Sequence, residues 1–243
     1  QYNLQFKMES EMLYWYGKDN RDDRGIIQLK DKNGVAIPIG DGLFEQITNR
    51  DSYGILTAEK IKQVVRDALY GMSDASKKSI TLFTGIGGAD SFDAAMKDEL
   101  SSRAYIKLDA DKFVYGTGYN LTLGGFFNTY QHIDGHTITL KRVSLFDNGP
   151  KALASRRHPI TGLPMESHRM VFVDTSSYDG QSNLVMVNKK GRSYIRRIVA
   201  GINELPADFK GNDFRASDKD ASSLHLMKAS GVVLRRFNTS IDM

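Results

Sequence analysis

The chain has 243 residues, 40% hydrophobic and 26% charged, an ordinary globular composition and enough chain for one large domain or two small ones. No run approaches the roughly 18 apolar residues that a membrane span needs, and the absence of cysteine excludes a disulfide framework, a thiolate metal site and a cysteine nucleophile. Lys and Arg number 33 against 29 Asp and Glu, and the resulting net charge of +4 is too mild to argue nucleic-acid readout by itself.

The chain opens with QYNLQFKMESEMLYWYG, in which Leu4, Met8, Met12 and Trp15 recur at helical spacing. Leu13 and Tyr16 widen the stripe, and Gly17 is placed to end the helix. The stretch has no initiator Met, basic n-region or apolar h-region, so it does not read as a signal peptide. A chain that starts inside a helix is expected to be a cleaved product or a piece of a longer protein. GKDNRDDRG is polar and turn-rich, and GIIQLKDKNGVAIPIGDG reads as short strands around Asn33-Gly34. A helix is expected from Thr57 to Tyr70, with Thr57 as N-cap, a stripe of Ile61, Val64, Val65, Ala68 and Leu69, and Gly71 as the stop.

Ser79 to Thr84 reads as a strand, and Ala89 to Leu100 as a helix carrying Phe92, Ala95, Met96 and Leu100. From Tyr105 the character turns to β. NTYQHIDGHTITLKRV places Asp134-Gly135 between two runs as a hairpin signal, with Ile138 and Leu140 alternating against Thr137, Thr139 and Lys141. Asp147 to Arg169 reads as a long connection with Pro150, Pro159, Pro164 and the cluster Arg156-Arg157-His158. MVFVDT, NLVMVN and YIRRIVAG give three further strands or strand–helix pieces. Glu204 to Ser223 is loop-like, and the last 22 residues read as extended segments around Gly231. No internal repeat is evident. The organisation is α+β, with helices concentrated early and strands late.

The stretch TLFTGIGGADSFD, residues 81–93, raises the question of a phosphate cradle. A P-loop needs a Lys-Ser/Thr pair after its last glycine, whereas Gly88 is followed by Ala89-Asp90, and Asp90 at a helix start would repel an anion. The spacing of Gly85, Gly87 and Gly88 also fails the dinucleotide pattern. The favoured account is a structural turn in which these glycines permit backbone angles that other residues resist, with Asp90 or Ser91 capping the helix. His132 and His136 flank the hairpin turn, but without a third ligand a zinc site is unsupported. No GxSxG or HExxH pattern occurs, and no catalytic residue or cofactor site is nominated. The basic pairs Arg156-Arg157, Lys189-Lys190, Arg196-Arg197 and Arg235-Arg236 suggest at most sequence-independent contact with a polyanion, since acidic residues are interspersed.

Several stretches taken in order resemble the later part of a phage major capsid protein of the crAss-like and related Bacteroidetes-infecting tailed phages. They are ESEMLYWYGKDNRDDRG, PIGDGLFEQI, ITLFTGIGGADSFDAAM, GGFFNTYQHIDGHTITLKRVSLFD and HRMVFVDTS. The family's Gly-Leu-x-x-Gln-Ile segment corresponds to Gly42, Leu43, Gln46 and Ile47. Its Thr-Gly-x-x-Gly-Ala-x-x-Phe turn corresponds to Thr84, Gly85, Gly88, Ala89 and Phe92, and its later Phe-Asp to Phe146-Asp147.

The resemblance implies the Hong Kong-type capsid fold, with the N-terminal arm and extended loop absent from this chain. Residues 1–50 would then end the spine helix and enter peripheral-domain strands. Residues 51–118 would give axial-domain helices and a strand, 119–170 the long peripheral strands and their connection, and 171–243 the remaining axial strands and C-terminal segment. It also implies a non-enzymatic subunit of an icosahedral head around double-stranded DNA, assembled in the host bacterial cytoplasm. Its partners would be copies of itself in hexamers and pentamers, decoration and portal proteins, and packaged DNA, with no membrane and no cofactor. Asp19, Arg21, Arg24, Arg156, Arg157, Arg196 and Arg197 are the candidate contacts between subunits, and Gly85, Gly87, Gly88 and Asp90 the structural turn. Another virion protein (tail, ring or decoration) and an α+β enzyme with a dispersed site stand as alternatives.

Overall fold

The glycine that follows the first apolar stripe ends a helix, α1 (Tyr2–Tyr16), with the Gly17 N–H donating to the Leu13 carbonyl at 2.9 Å. The computed structural model describes residues 2–70, 78–102, 129–131, 136–201, 210, 214–215 and 221–243. Gly71, the onset of β character at Tyr105, His132, the Asp134-Gly135 turn and most of the Glu204 to Ser223 segment lie outside them. The α1 stripe is only half used: Trp15 is buried with Met12 and Tyr16 beside it, whereas Leu4 and Met8 stand in solvent.

Helix α2 (Leu43–Gln46) and strand β1 (Asn49–Arg50) lead to α3 (Ala58–Leu69). Thr57 caps α3, its Oγ1 accepting from the Lys60 N–H at 3.3 Å, and Ile61, Val64, Val65 and Ala68 form the buried face. Thr57→Ala is expected to cost about 1 kcal/mol. Calorimetry should show this as a melting temperature lower by about 2–4 °C, and an unchanged value would remove the cap from the account.

Strand β2 (Ser79–Thr84) runs into α4 (Ile86–Ser102), and β3 (Thr129–Gln131) pairs antiparallel with β4 (Thr137–Arg142) as the hairpin signal requires. The stretch read as a long connection contains structure. It holds the end of α5 (Ser144–Asn148), then α6 (Pro150–Ala154), which Pro150 can open because the first helical position needs no N–H, and a 3₁₀ turn over Met165–His168. Helices are therefore not confined to the early chain. Strand β5 (Met170–Asp174) follows, then the small hairpin β6 (Ser177–Tyr178) and β7 (Gln181–Ser182).

Next come β8 (Leu184–Asn188), β9 (Ile195–Ala200), β10 (Phe214–Arg215), β11 (Ser223–Met227), β12 (Ser230–Leu234) and β13 (Ile241–Asp242). β11 and β12 are the extended segments expected around Gly231, which lies inside β12. The stretch 17–25 is turn-rich as expected, but 25–42, expected as short strands, holds none: residues 20–38 form two turns with only the isolated bridges Arg21–Ile27 and Lys30–Ala36. Their backbone bonding is spent within each turn, which leaves no ladder to propagate.

The main sheet has the order β1-β13-β5-β2-β4-β3. β2 is parallel to β4 and antiparallel to β5, and β13 sits between β5 (antiparallel) and β1 (parallel). Both faces are covered. Ile80, Leu82, Ile138, Met170 and Phe172 meet α3 and α4 on one face. Val171, Val173 and Phe83 meet Trp15, Phe44, Phe146 and Leu234 on the other. Burial on both faces explains why MVFVD is an unbroken apolar run instead of an alternating one. The Trp15 ring centres the second cluster, 5.0–5.4 Å from the rings of Phe44, Phe83 and Phe146. Outside this sheet, β9 lies between β10 and β11, and β8 pairs with β12.

Candidate assembly surface and the interior that supports it

The glycine-rich stretch is a strand-to-helix corner closed by a carboxylate from elsewhere in the chain. α4 begins at Ile86, three residues before the expected Ala89, so Gly87 and Gly88 lie in its first turn. The Ile86 N–H donates to Asp147 Oδ1 at 2.7 Å, and the Gly87 N–H donates to Ser167 Oγ at 2.9 Å. The Ser167 hydroxyl in turn donates to the same Asp147 oxygen at 2.7 Å. Arg142 holds the other oxygen through Nε and Nη2, both at 3.1 Å. A protein carboxylate thus fills the position a phosphate would take, matching the partial positive charge of the helix end.

Two expectations are corrected here. Asp90 is exposed and is not the cap, while the Ser91 hydroxyl donates back to the Gly87 carbonyl. The glycines also do not serve through unusual angles, since none of the three is among the positive-φ residues. They serve by close approach. A Cβ on Gly85 would stand 2.5 Å from Asp147 Oδ1 and 2.8 Å from the Ser167 backbone; on Gly87, 2.6 Å from His168 Nε2; on Gly88, 1.9 Å from Thr84 Oγ1.

Two further ionic knots tie the late chain to the sheet. Arg169 donates through Nε to Asp242 Oδ1 at 2.8 Å, through Nη2 to the other Asp242 oxygen, and through Nη1 to Glu166 at 3.0 Å, with its guanidinium 3.5 Å from the Phe44 ring centre. Burial opposes the Arg169 charge, but Asp242 and then Glu166 more than offset it, so the group stays charged. Tyr16 donates its hydroxyl to Glu166, and burial first, then that bond, pushes its ionisation well above the ordinary phenol range. In the other knot the buried Asp174 receives Arg236 Nη2 and the Thr239 hydroxyl, each at 3.1 Å, and the Ser176 N–H at 3.0 Å. Asn183 bridges it to the Arg236 backbone N–H at 2.7 Å.

The candidate contact residues sit on three separate elements. Asp19, just before the 20–38 turns, and Arg21 and Arg24 on them are exposed. Arg156 and Arg157 are exposed between α6 and the 3₁₀ turn, where Arg157 reaches the Gly162 carbonyl at 3.4 Å. On β9, Arg196 is half-buried opposite Leu226 and Arg197 exposed opposite His225. Sequence reasoning missed Asp147 and Ser167 as helix partners. Their separation from α4, 61 and 80 residues, leaves no local signal, although the buried acid of the Phe-Asp pair was in view.

Beside the Arg156-Arg157 pair, the His158 ring stacks on His168 with centroids 4.5 Å apart, and His168 Nε2 pairs with Thr161 Oγ1 at 2.9 Å. Burial, and then His158, hold His168 below the ordinary histidine value, while Asp90 works the other way. Because the folded value is depressed, the neutral ring's stability contribution is fully present above a pH of about 6.5 and is lost as pH falls through the folded value. Melting curves at about pH 7.5 and 5 should show a larger acid loss for wild type than for His168→Gln. Equal losses would rule the pair out as the source.

Among the described residues no group of three or more His, Asp or Glu side chains could hold a metal, and no helix is long and apolar enough to cross a membrane. The family model described as Crassvirus major capsid protein matches residues 1–242. The major capsid protein of Bacteroides phage crAss001 is 27% identical over 94% of this chain and 46% of its own length. The chain spans about half the length of that curated relative. It belongs to the Crassvirus major capsid protein family, whose role is structural rather than catalytic.

Proposed function

We propose that this member of the Crassvirus major capsid protein family forms part of the subunit that builds the icosahedral head of a tailed phage around double-stranded DNA. The observation that carries the reading is the family match across nearly the whole chain. The chain's Hong Kong-type fold belongs to the same proposal. So do hexamers and pentamers of identical subunits, contact with decoration and portal proteins, and assembly in the host cytoplasm. In this reading residues 1–50, 51–118, 119–170 and 171–243 keep the peripheral and axial roles the resemblance implies. The six-stranded sheet, which takes strands from all four intervals, joins them into one plate.

Rings of identical subunits need complementary rather than self-matching patches. Asp19, Arg21, Arg24, Arg156, Arg157, Arg196 and Arg197 are suited to such rims, where opposed charges set register and speed encounter. The net charge of +4 is compatible with non-specific DNA contact at an inner face. Electron microscopy of the purified full-length protein tests the reading. Ordered shells or hexameric rings are expected, and small monodisperse particles alone would overturn it.

A further inference from the structure

Residues 20–37 fold as two copies of one nine-residue turn. In the first, the Asp22 N–H donates to the Ile26 carbonyl at 3.0 Å and the Gly25 N–H to the Asp22 carbonyl at 2.8 Å. Asp22 Oδ1 accepts from the N–H groups of Arg24 and Ile26 at 3.0 and 2.8 Å. In the second, the Asp31 N–H donates to the Val35 carbonyl at 2.8 Å and the Gly34 N–H to the Asp31 carbonyl at 3.0 Å. Asp31 Oδ1 accepts from Asn33 and Val35, both at 2.8 Å. Gly25 and Gly34 take φ values of 77° and 79°, the left-handed region that the turn requires. RDDRGII and KDKNGVA share only a basic residue, an Asp, a Gly three positions on and a β-branched residue after it, which is why no repeat was evident in the sequence.

The two turns are stitched by the buried Asn20. Its Nδ2 donates to the carbonyls of Leu29 and Ile37 at 2.7 and 2.6 Å, and its Oδ1 accepts the Leu29 N–H. The ends of the segment are pinned together. The Gly42 N–H donates to the Gly17 carbonyl at 2.8 Å, the Asp19 N–H to Asp41 Oδ1 at 2.8 Å, and a Cβ on Gly42 would stand 2.6 Å from Gly17 N. Every hydrogen bond described for residues 20–37 has both ends inside that segment. The twin turn is therefore shaped by its own bonding.

This pre-shaped segment leaves aliphatic side chains in water. Ile26 is 56% exposed, Leu29 53%, Val35 63% and Ile37 38%. Ile26 and Val35 occupy equivalent places in the two turns, so the repeat presents the same β-branched group twice. A segment built only to turn the chain has no need of four exposed aliphatics on a pinned frame, whereas an element that docks gains from having its ordering cost met before contact. Residues 18–41 carry five basic and five acidic side chains, a net charge of zero. Zero net charge disfavours a phosphate polymer, whose binding depends on an excess of cations, and suits a protein surface of mixed charge.

We propose that the twin turn docks through Ile26, Leu29, Val35 and Ile37 onto a second copy of this chain, an inference that rests on the shell reading above. A ring-forming contact joins different patches of identical molecules, and a net-neutral, pre-shaped apolar element can supply one of the two patches.

The test is Ile26→Asp/Val35→Asp in the full-length protein, compared with wild type by sedimentation, electron microscopy and melting temperature. The expected result is an unchanged melting temperature with shells and rings lost, or appearing only at about tenfold or higher protein concentration. The milder Ile26→Ser/Val35→Ser pair covers the case in which the aspartates disturb folding, with the same direction expected. Assembly of a folded variant at the wild-type concentration overturns the inference and leaves the shell reading standing. Assembly with loss of only a different head protein overturns it too, since the occupant would then not be a second copy. A wild type that forms neither shells nor rings overturns the shell reading and this inference with it.

Discussion

Gly85→Val is expected to destabilise the fold by about 4 kcal/mol or more, lowering the melting temperature by roughly 10 °C. The added Cβ would stand 2.5 Å from Asp147 Oδ1 and 2.8 Å from both Cα and the carbonyl oxygen of Ser167. Neither neighbour can withdraw cheaply. The Asp147 carboxylate is already held by the Ile86 N–H, the Ser167 hydroxyl and Arg142, and the Ser167 contacts are backbone atoms. Relief by displacing Asp147 leaves buried donors unsatisfied and removes the α4 cap together. Thermal denaturation followed by circular dichroism measures the loss. A titration with inorganic phosphate should show no binding to either protein, because the carboxylate occupies the helix end. A variant within about 1 kcal/mol of wild type would show that the corner relaxes freely, contrary to the packing described.

Asp242→Ala is the second large effect, expected at about 3–5 kcal/mol. Asp242 receives two of the Arg169 donors, and its loss leaves a guanidinium packed on Phe44 with only Glu166 as a charged partner. Replacing both residues, as in Arg169→Leu/Asp242→Leu, is expected to cost less than Asp242→Ala alone, because no partly buried charge is then stranded. The loss should also be local. β1 joins the sheet through β13, and β13 is held by β5 and this ion pair, so amide exchange should accelerate first at Asn49, Arg50 and Ile241. Uniform acceleration across β2 and β5 would show that the knot supports the whole sheet instead of its edge.

These two results bear on what a sequence can disclose. Helix α3 was legible from Thr57 and the Ile61-to-Ala68 stripe because capping and helical periodicity act within one or two turns of chain. β2 was legible over Ser79–Thr84 from β-type apolar composition, and of the two readings open for MVFVDT, NLVMVN and YIRRIVAG, strands or strand–helix pieces, the strand holds. The capsid family was legible too, because it resides in short ordered motifs that survive without knowledge of their contacts.

The site was less open to reading. That Gly85, Gly87 and Gly88 form a structural corner could be argued from the missing Lys-Ser/Thr pair, but their reason could not, because it lies in Asp147, Ser167, His168 and Thr84. The start of α4 was misplaced for the same cause, since its first free amides are met by residues 61 and 80 positions away. The seat of β13 between β1 and β5 and the stitching of two unlike-looking turns by Asn20 were equally closed to local inspection.

By itself, then, the sequence determined α3 and the main apolar strands, the lack of cysteine chemistry and the family. The tertiary structure alone decided which carboxylate caps which helix, which glycines must lack a Cβ, and which apolar side chains stay exposed. Sheet order brings together residues whose separation along the chain no periodicity encodes, and close approach in space is what gives each of them its role.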